Sequence, residues 1–169
     1  MKTISFQSDI LPLKNELFRM ALRITQNREE AEDVVQETMI KVWNRREQWS
    51  QLESIEAFCL TICRNLSLDK LRRMDNQAQT LDATIDPSDS RVASNPEEQT
   101  VQRDRVQLVR QLIDQLPEKQ RSVMQLRDIE GKSYRDIATI LQISEEQVKI
   151  NIFRARKTIK ERFLKIDGQ

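Results

Sequence analysis

Gly131-Lys-Ser-Tyr-Arg-Asp-Ile-Ala-Thr-Ile-Leu-Gln-Ile-Ser-Glu-Glu-Gln-Val-Lys-Ile-Asn-Ile-Phe-Arg-Ala-Arg-Lys157 is the stretch on which the fold turns. Ile137, Ala138 and Leu141 fall at helical spacing and form one apolar stripe. Ala138 is small enough to let a second helix cross closely, and Ile143 sits in the turn, placed to plug the gap. Ser144 is a good N-cap, and Gln147 three residues later completes capping-box spacing. Val148 and Ile152 stand i,i+4 and face inward. The opposite face carries Lys149, Asn151, Phe153, Arg154, Arg156 and Lys157, side chains suited to phosphate contacts and base-edge hydrogen bonds. A helix, a tight turn and a basic second helix form the layout of a helix-turn-helix that reads the DNA major groove. An amphipathic hairpin with a solvated basic face shares this spacing, so the rest of the chain has to separate the two.

The composition points to a mostly helical soluble protein. Of 169 residues 33% are charged and 5% aromatic, and only 2 Gly and 4 Pro interrupt the chain. The formal net charge of +1 hides a segregation. Residues 145–165 hold seven basic against three acidic side chains, a local +4, whereas residues 75–100 hold six acidic against one basic, a local −5. A near-neutral total is therefore compatible with a nucleic-acid partner, because the local patch decides. There is no His, no Gly-rich phosphate loop and no nucleophile constellation, which argues against an enzyme. Cys59 and Cys63 are too few to make a zinc site and badly spaced for a disulfide, so two reduced thiols in a core are expected, with no metal and no cofactor. No 18-residue apolar run exists, and Asp9, Pro12, Lys14 and Glu16 stand where a signal peptide would need an apolar core. A cytoplasmic protein is expected.

Upstream, Leu13, Leu17, Met20, Ala21 and Ile24 predict a helix over 10–25, with Pro12 in its first turn. Asn27 and Glu30 resemble a capping box opening a second helix to about Arg45, with Ala31, Val35, Met39 and Val42 on one stripe. Ser54 opens a third helix to Arg73 with Phe58, Ile62, Leu66 and Leu71 inward, its cap weaker because Ala57 replaces Glu. Residues 75–100 contain Asp86-Pro-Ser-Asp-Ser90 and few large apolar residues, and read as a flexible acidic linker. Beyond it come a helix over 101–116, with Val106, Val109, Leu112 and Ile113, and another opened by Pro117, with Val123, Met124 and Leu126 inward. The expected fold is all-α: two small helical domains, 1–74 and 101–169, joined by an acidic linker, 75–100.

Three motifs together resemble the sigma-seventy superfamily of RNA polymerase sigma factors, specifically the short extracytoplasmic-function class. The first is Ala31-Glu-Asp-Val-Val-Gln-Glu-Thr38 with Val42-Trp43. The second is Ala57-Phe58 leading through Ile62-Cys-Arg-Asn-Leu66 to Asp69-Lys-Leu-Arg-Arg73. The third is Leu116-Pro117 through Ser133-Tyr-Arg-Asp-Ile-Ala138 to Val148 and Phe153-Arg-Ala-Arg156. The resemblance implies a region 2-like domain, a region 4-like helix-turn-helix domain, and a non-catalytic initiation factor. It implies core RNA polymerase (its clamp coiled coil and flap) and promoter DNA as partners, with an anti-sigma factor as a plausible third.

Carried over by position, the resemblance gives Asp33, Gln36 and Glu37 to the polymerase clamp. It gives Trp49, Asn65, Asp69, Lys70, Arg72 and Arg73 to the minus-ten element. Trp49 supplies either a stacking surface for an unstacked base or a hydrophobic plug, and Trp43 is expected in the core. The minus-thirty-five element falls to Arg135, Lys149, Asn151, Phe153, Arg154 and Arg156. Asp82, Asp86 and Asp89 of the linker would thread a basic RNA channel. The chain departs from the family at Gln142, where the turn usually has Gly, and at Ile150-Asn151, where a small polar residue and Arg are commoner. Glu145 and Glu146 are also unusual near DNA, though they suit a helix N-terminus. A free-standing dimeric regulator would explain the helix-turn-helix but leave the first two motifs idle.

Overall fold

Helix-forming stretches separated by short capped turns account for every described element of this chain. The computed structural model describes residues 3–80 and 101–167, so most of the expected linker, including Asp82, Asp86 and Asp89, lies outside the described residues. Among the described residues the secondary structure is helical, with no strand, as the composition predicts. The chain forms two compact units.

The first unit is built on three helices: α1 (Lys14–Thr25), α2 (Arg28–Asn44) and α3 (Ile55–Thr80). The helix expected from residue 10 begins instead at Lys14, because Pro12 occupies a tight turn, Leu11–Leu13, that follows one wide turn, Phe6–Ile10. Gln26 ends α1 in the left-handed region at φ 57°. Asn27 then caps α2, its Oδ1 accepting the Glu30 N–H at 3.0 Å. The reciprocal half of the box is not made: the Asn27 N–H donates to Thr25 Oγ1 at 3.4 Å, and the Glu30 carboxylate faces Lys70. Ser54 caps α3 without a Glu partner, its Oγ accepting the Ala57 N–H at 3.1 Å.

The three helices pack pairwise. Leu17, Met20, Ala21 and Ile24 of α1, Ala31, Val34, Val35 and Val42 of α2, and Leu60, Ile62, Cys63 and Leu66 of α3 are buried. Each large apolar side chain contributes about 1.5–3 kcal/mol on burial. Thr38 is fully buried as well, its hydroxyl satisfied by donating to the Val34 carbonyl at 2.7 Å. Cys59 and Cys63 are free, buried thiols. The Cys63 thiol donates to the Leu17 carbonyl at 3.3 Å, and burial pushes both thiols up to about 12. The third helix, expected to end at Arg73, continues to Thr80. No Pro or Gly stands between Arg73 and Thr80 to stop it.

The second unit contains α4 (Val101–Asp114), α5 (Glu118–Met124), α6 (Tyr134–Leu141) and α7 (Glu145–Asp167). Pro117 caps α5, and a wide turn, Gln125–Ile129, leads to Gly131 at φ 73°, where a side chain would be strained. Leu112, Ile113, Leu116, Met124, Ala155 and Ile159 form a core, with Leu108, Val109 and Phe163 packed against it. This lays α7 on α4 and α5. Val106, expected inward, is 50% exposed, because the buried stripe of α4 runs through Leu108, Val109, Leu112 and Ile113 instead. Among the described residues, no helix is long and apolar enough to cross a membrane.

Candidate polymerase and DNA interfaces

The turn between α6 and α7 carries the family's departure openly. Gln142 adopts φ 57°, the left-handed conformation usually given to Gly, at a cost of about 1–2 kcal/mol. The Ile143 N–H closes the turn by donating to the Ala138 carbonyl at 3.1 Å. The start of α7 is then locked by a complete capping box. The Gln147 N–H donates to Ser144 Oγ, and the Ser144 N–H donates to Gln147 Oε1, both at 3.1 Å. Glu145 and Glu146 lie in this first turn, where the helix dipole favours anions.

With its entry fixed, α7 buries Val148 and Ile152 and turns Lys149, Phe153, Arg154, Arg156 and Lys157 outward. Phe153 is 68% exposed, a large apolar ring held in water on a basic face. Lys149 lies with its Nζ 5.8 Å from the centre of the Tyr134 ring, whose other cationic neighbour is the Arg127 guanidinium at 4.4 Å. Two expected contacts are already engaged within the protein. Asn151 Nδ2 donates to the Gln147 carbonyl at 2.8 Å. The Arg156 fork grips Asp128, with Nε donating to Oδ2 at 3.2 Å and a second bond from Nη2 to Oδ1, which raises the guanidinium pKa further. Arg135 is exposed on α6.

On α2, Asp33, Gln36 and Glu37 are exposed while Val35 turns inward and Met39 is half-buried. A cation from α3 lies beneath this acidic face. Lys70 Nζ stands 3.5 Å from Glu30 Oε2, 3.7 Å from Asp33 Oδ2 and 3.8 Å from Glu37 Oε1. The Lys70 side chain is only 18% exposed. The ammonium expected on minus-ten DNA thus stands among three carboxylates of α2. Asn65, Asp69, Arg72 and Arg73 remain exposed along α3, with Arg72 Nη2 3.3 Å from Asp69 Oδ1.

Of the two tryptophans, Trp49 is the covered one and Trp43 is not. Trp49 is buried at 8% exposure, and its Nε1–H donates to the Val42 carbonyl at 3.1 Å. That carbonyl lies in the last turn of α2, where it also accepts the Arg45 N–H at 3.2 Å, so the indole acts as a plug and adds a second donor at the helix C-terminus. Of its two readings the plug is the one this geometry carries. Trp43, expected in the core, is 46% exposed, with the Arg46 guanidinium 4.7 Å from its ring centre and Phe6 edge-on at 5.7 Å.

Sequence spacing marks Glu30 only as a capping-box residue and does not mark Asp128 as a partner of Arg156. The Lys70 and Arg156 that meet them lie far along the chain, so no local spacing signals these contacts. Among the described residues no group of His, Cys, Asp and Glu is placed to hold a metal ion.

Comparison with known proteins places both units. The Sigma-70 region 2 family profile matches residues 10–77, and the Sigma-70, region 4 profile matches residues 107–159. RNA polymerase sigma-H factor of Pseudomonas aeruginosa is 30% identical, covering 92% of this chain and 84% of its own. ECF RNA polymerase sigma factor SigL of Mycobacterium tuberculosis is 32% identical, covering 85% of this chain and 80% of its own. Among solved structures, sigma factor RpoE of Bartonella quintana, crystallised with the anti-sigma factor NepR, has a TM-score of 0.77 at 26% identity. That match spans 96% of this chain and 98% of the other. CnrH, solved with the cytosolic domain of CnrY, shares the fold with a TM-score of 0.64 at 20% identity, over 90% and 82% of the two chains.

Proposed function

Because the chain belongs to the sigma-70 family of RNA polymerase sigma factors, in the extracytoplasmic-function class, we propose a division of labour between its two units for promoter-directed initiation. The acidic face of α2, with Asp33, Gln36 and Glu37, docks on the basic clamp of core RNA polymerase through charge-assisted bonds. The exposed polar run of α3, with Asn65, Asp69, Arg72 and Arg73, meets the minus-ten element and holds its separated strand. Lys149, Phe153 and Arg154 of α7 enter the major groove of the minus-thirty-five element, with Arg135 on phosphate. Asn151 keeps its amide oxygen for a base edge, and Arg156 orients α7 through Asp128. Synthesis of RNA stays with the polymerase.

The observation that supports this best is a basic, aromatic-bearing α7 face behind a complete capping box, in one chain with an acidic α2 face. An anti-sigma factor, as crystallised with sigma factor RpoE of Bartonella quintana, is a further partner proposed here for this chain. Two variants test the division. Asp33→Ala with Gln36→Ala weakens binding to core RNA polymerase and leaves helix content intact. Arg154→Ala lowers promoter-specific transcription while core binding persists. Equal loss of both properties in either variant contradicts the division.

A further inference from the structure

Lys70 is the side chain whose surroundings fit its sequence position least. It belongs to the polar run Asp69-Lys-Leu-Arg-Arg73 that faces DNA in the proposal above, yet its neighbours on that run point away from it. Asp69, Arg72 and Arg73 are exposed, whereas Lys70 is folded back against α2 at 18% exposure. There it meets Glu30, Asp33 and Glu37 at 3.5, 3.7 and 3.8 Å. Those three carboxylates occupy positions i, i+3 and i+7, so they line one face of two helical turns. Left alone they repel one another and their side chains spread over several rotamers.

We propose that Lys70 is a positioning residue for polymerase binding: it gathers Asp33 and Glu37 into one preformed acidic face and does not itself touch DNA. The proposal rests on the clamp assignment of Asp33 and Glu37. Two opposed effects decide its sign. Removing the ammonium makes the face more negative, which favours long-range attraction to a basic partner. Exposed charges are screened beyond roughly 8 Å at physiological salt, so that gain is small. The ordering of side chains at contact distance is not screened away, and each one immobilised on binding carries an entropic cost. Preorganisation therefore wins, and the loss falls mainly on the dissociation rate.

The test uses the full chain and purified core RNA polymerase, with affinity and dissociation rate measured for a set of variants. Lys70→Met keeps the stem and removes the charge, and weakens the complex about fivefold. Lys70→Arg keeps a cation and stays within about twofold of the parent. Asp33→Ala with Glu37→Ala weakens the complex on its own, and adding Lys70→Met to that pair costs little more, because the positioned groups are gone. At saturating core polymerase, Lys70→Met opens promoter DNA at the parent rate. An unchanged or tighter complex for Lys70→Met overturns the proposal. So does slowed opening at saturating polymerase, which returns Lys70 to DNA. A full further loss on top of the Asp33 and Glu37 substitutions, with a matching fall in melting temperature, reduces Lys70 to packing and also overturns it. If the Asp33 and Glu37 substitutions themselves leave core affinity unchanged, the clamp assignment fails and the proposal fails with it.

Discussion

The α2 and α7 faces are both charged and both exposed, but they are organised in opposite ways. On α2 the carboxylates are drawn together by a cation from another helix, Lys70, 33 residues beyond Glu37 in sequence. On α7 the cations are aimed by the start of their own helix: the Ser144–Gln147 capping box sets its direction, and the Tyr134 ring takes one side of Lys149. An acidic face meeting a protein gains from being set before contact, because protein partners require matched geometry. A basic face meeting a phosphate lattice needs direction more than fine placement, since backbone contacts fix register while a few side chains specify sequence.

The largest expected effect breaks the scaffold under one face only. Leu60→Ala removes a core side chain that is 1% exposed in the first unit, at a cost of about 2–5 kcal/mol. Hydrogen exchange should accelerate across α1, α2 and α3 while the α5 and α7 amides keep their protection. Arg154→Ala comes next and acts on the other face without touching a core. It should cost about 1–3 kcal/mol in promoter selection and leave core polymerase affinity at the parent value, measured by transcription and by binding on the same preparation. Ser144→Ala sharpens the contrast, because it removes direction and keeps every basic side chain. About 1 kcal/mol of local stability at the start of α7 should be lost, read as faster exchange of the Gln147 amide, with weaker promoter binding following from it.

The smallest effect is silent at neutral pH and separates the units chemically. Only the first unit contains cysteines, and burial raises both thiols from an ordinary 9.0 to about 12. A buried thiol keeps its proton where the unfolded thiol has lost it. Stability from this source is therefore full below about 9 and declines as pH rises from 9 towards 12. A Cys59→Ala, Cys63→Ala variant should lose that part of the alkaline slope of α1–α3 unfolding.

Periodicity and caps carried much of the fold in the sequence. Val148 and Ile152 are buried as their spacing requires, and Ser144 makes the predicted box. Asn27 caps α2, although Glu30 abandons its half of the box for Lys70. What sequence could not supply were partners distant along the chain. Arg156 looks like a phosphate contact until Asp128, 28 residues earlier, takes its fork. Trp43 and Trp49 are equally hydrophobic on paper. Only the turn after α2, which swings Trp49 back to the Val42 carbonyl, decides which is covered. The α3 end was misplaced because acidic and amide residues resemble a linker in composition, yet nothing among them breaks a helix.

Run-off transcription from a genomic fragment library with purified core RNA polymerase, using the parent chain and Arg154→Ala side by side, tests the division of labour most directly. The parent should bind core and create discrete new start sites, while Arg154→Ala binds core equally and loses those starts. A parent chain that footprints its DNA without polymerase, or that gives no new starts despite binding core, would contradict it.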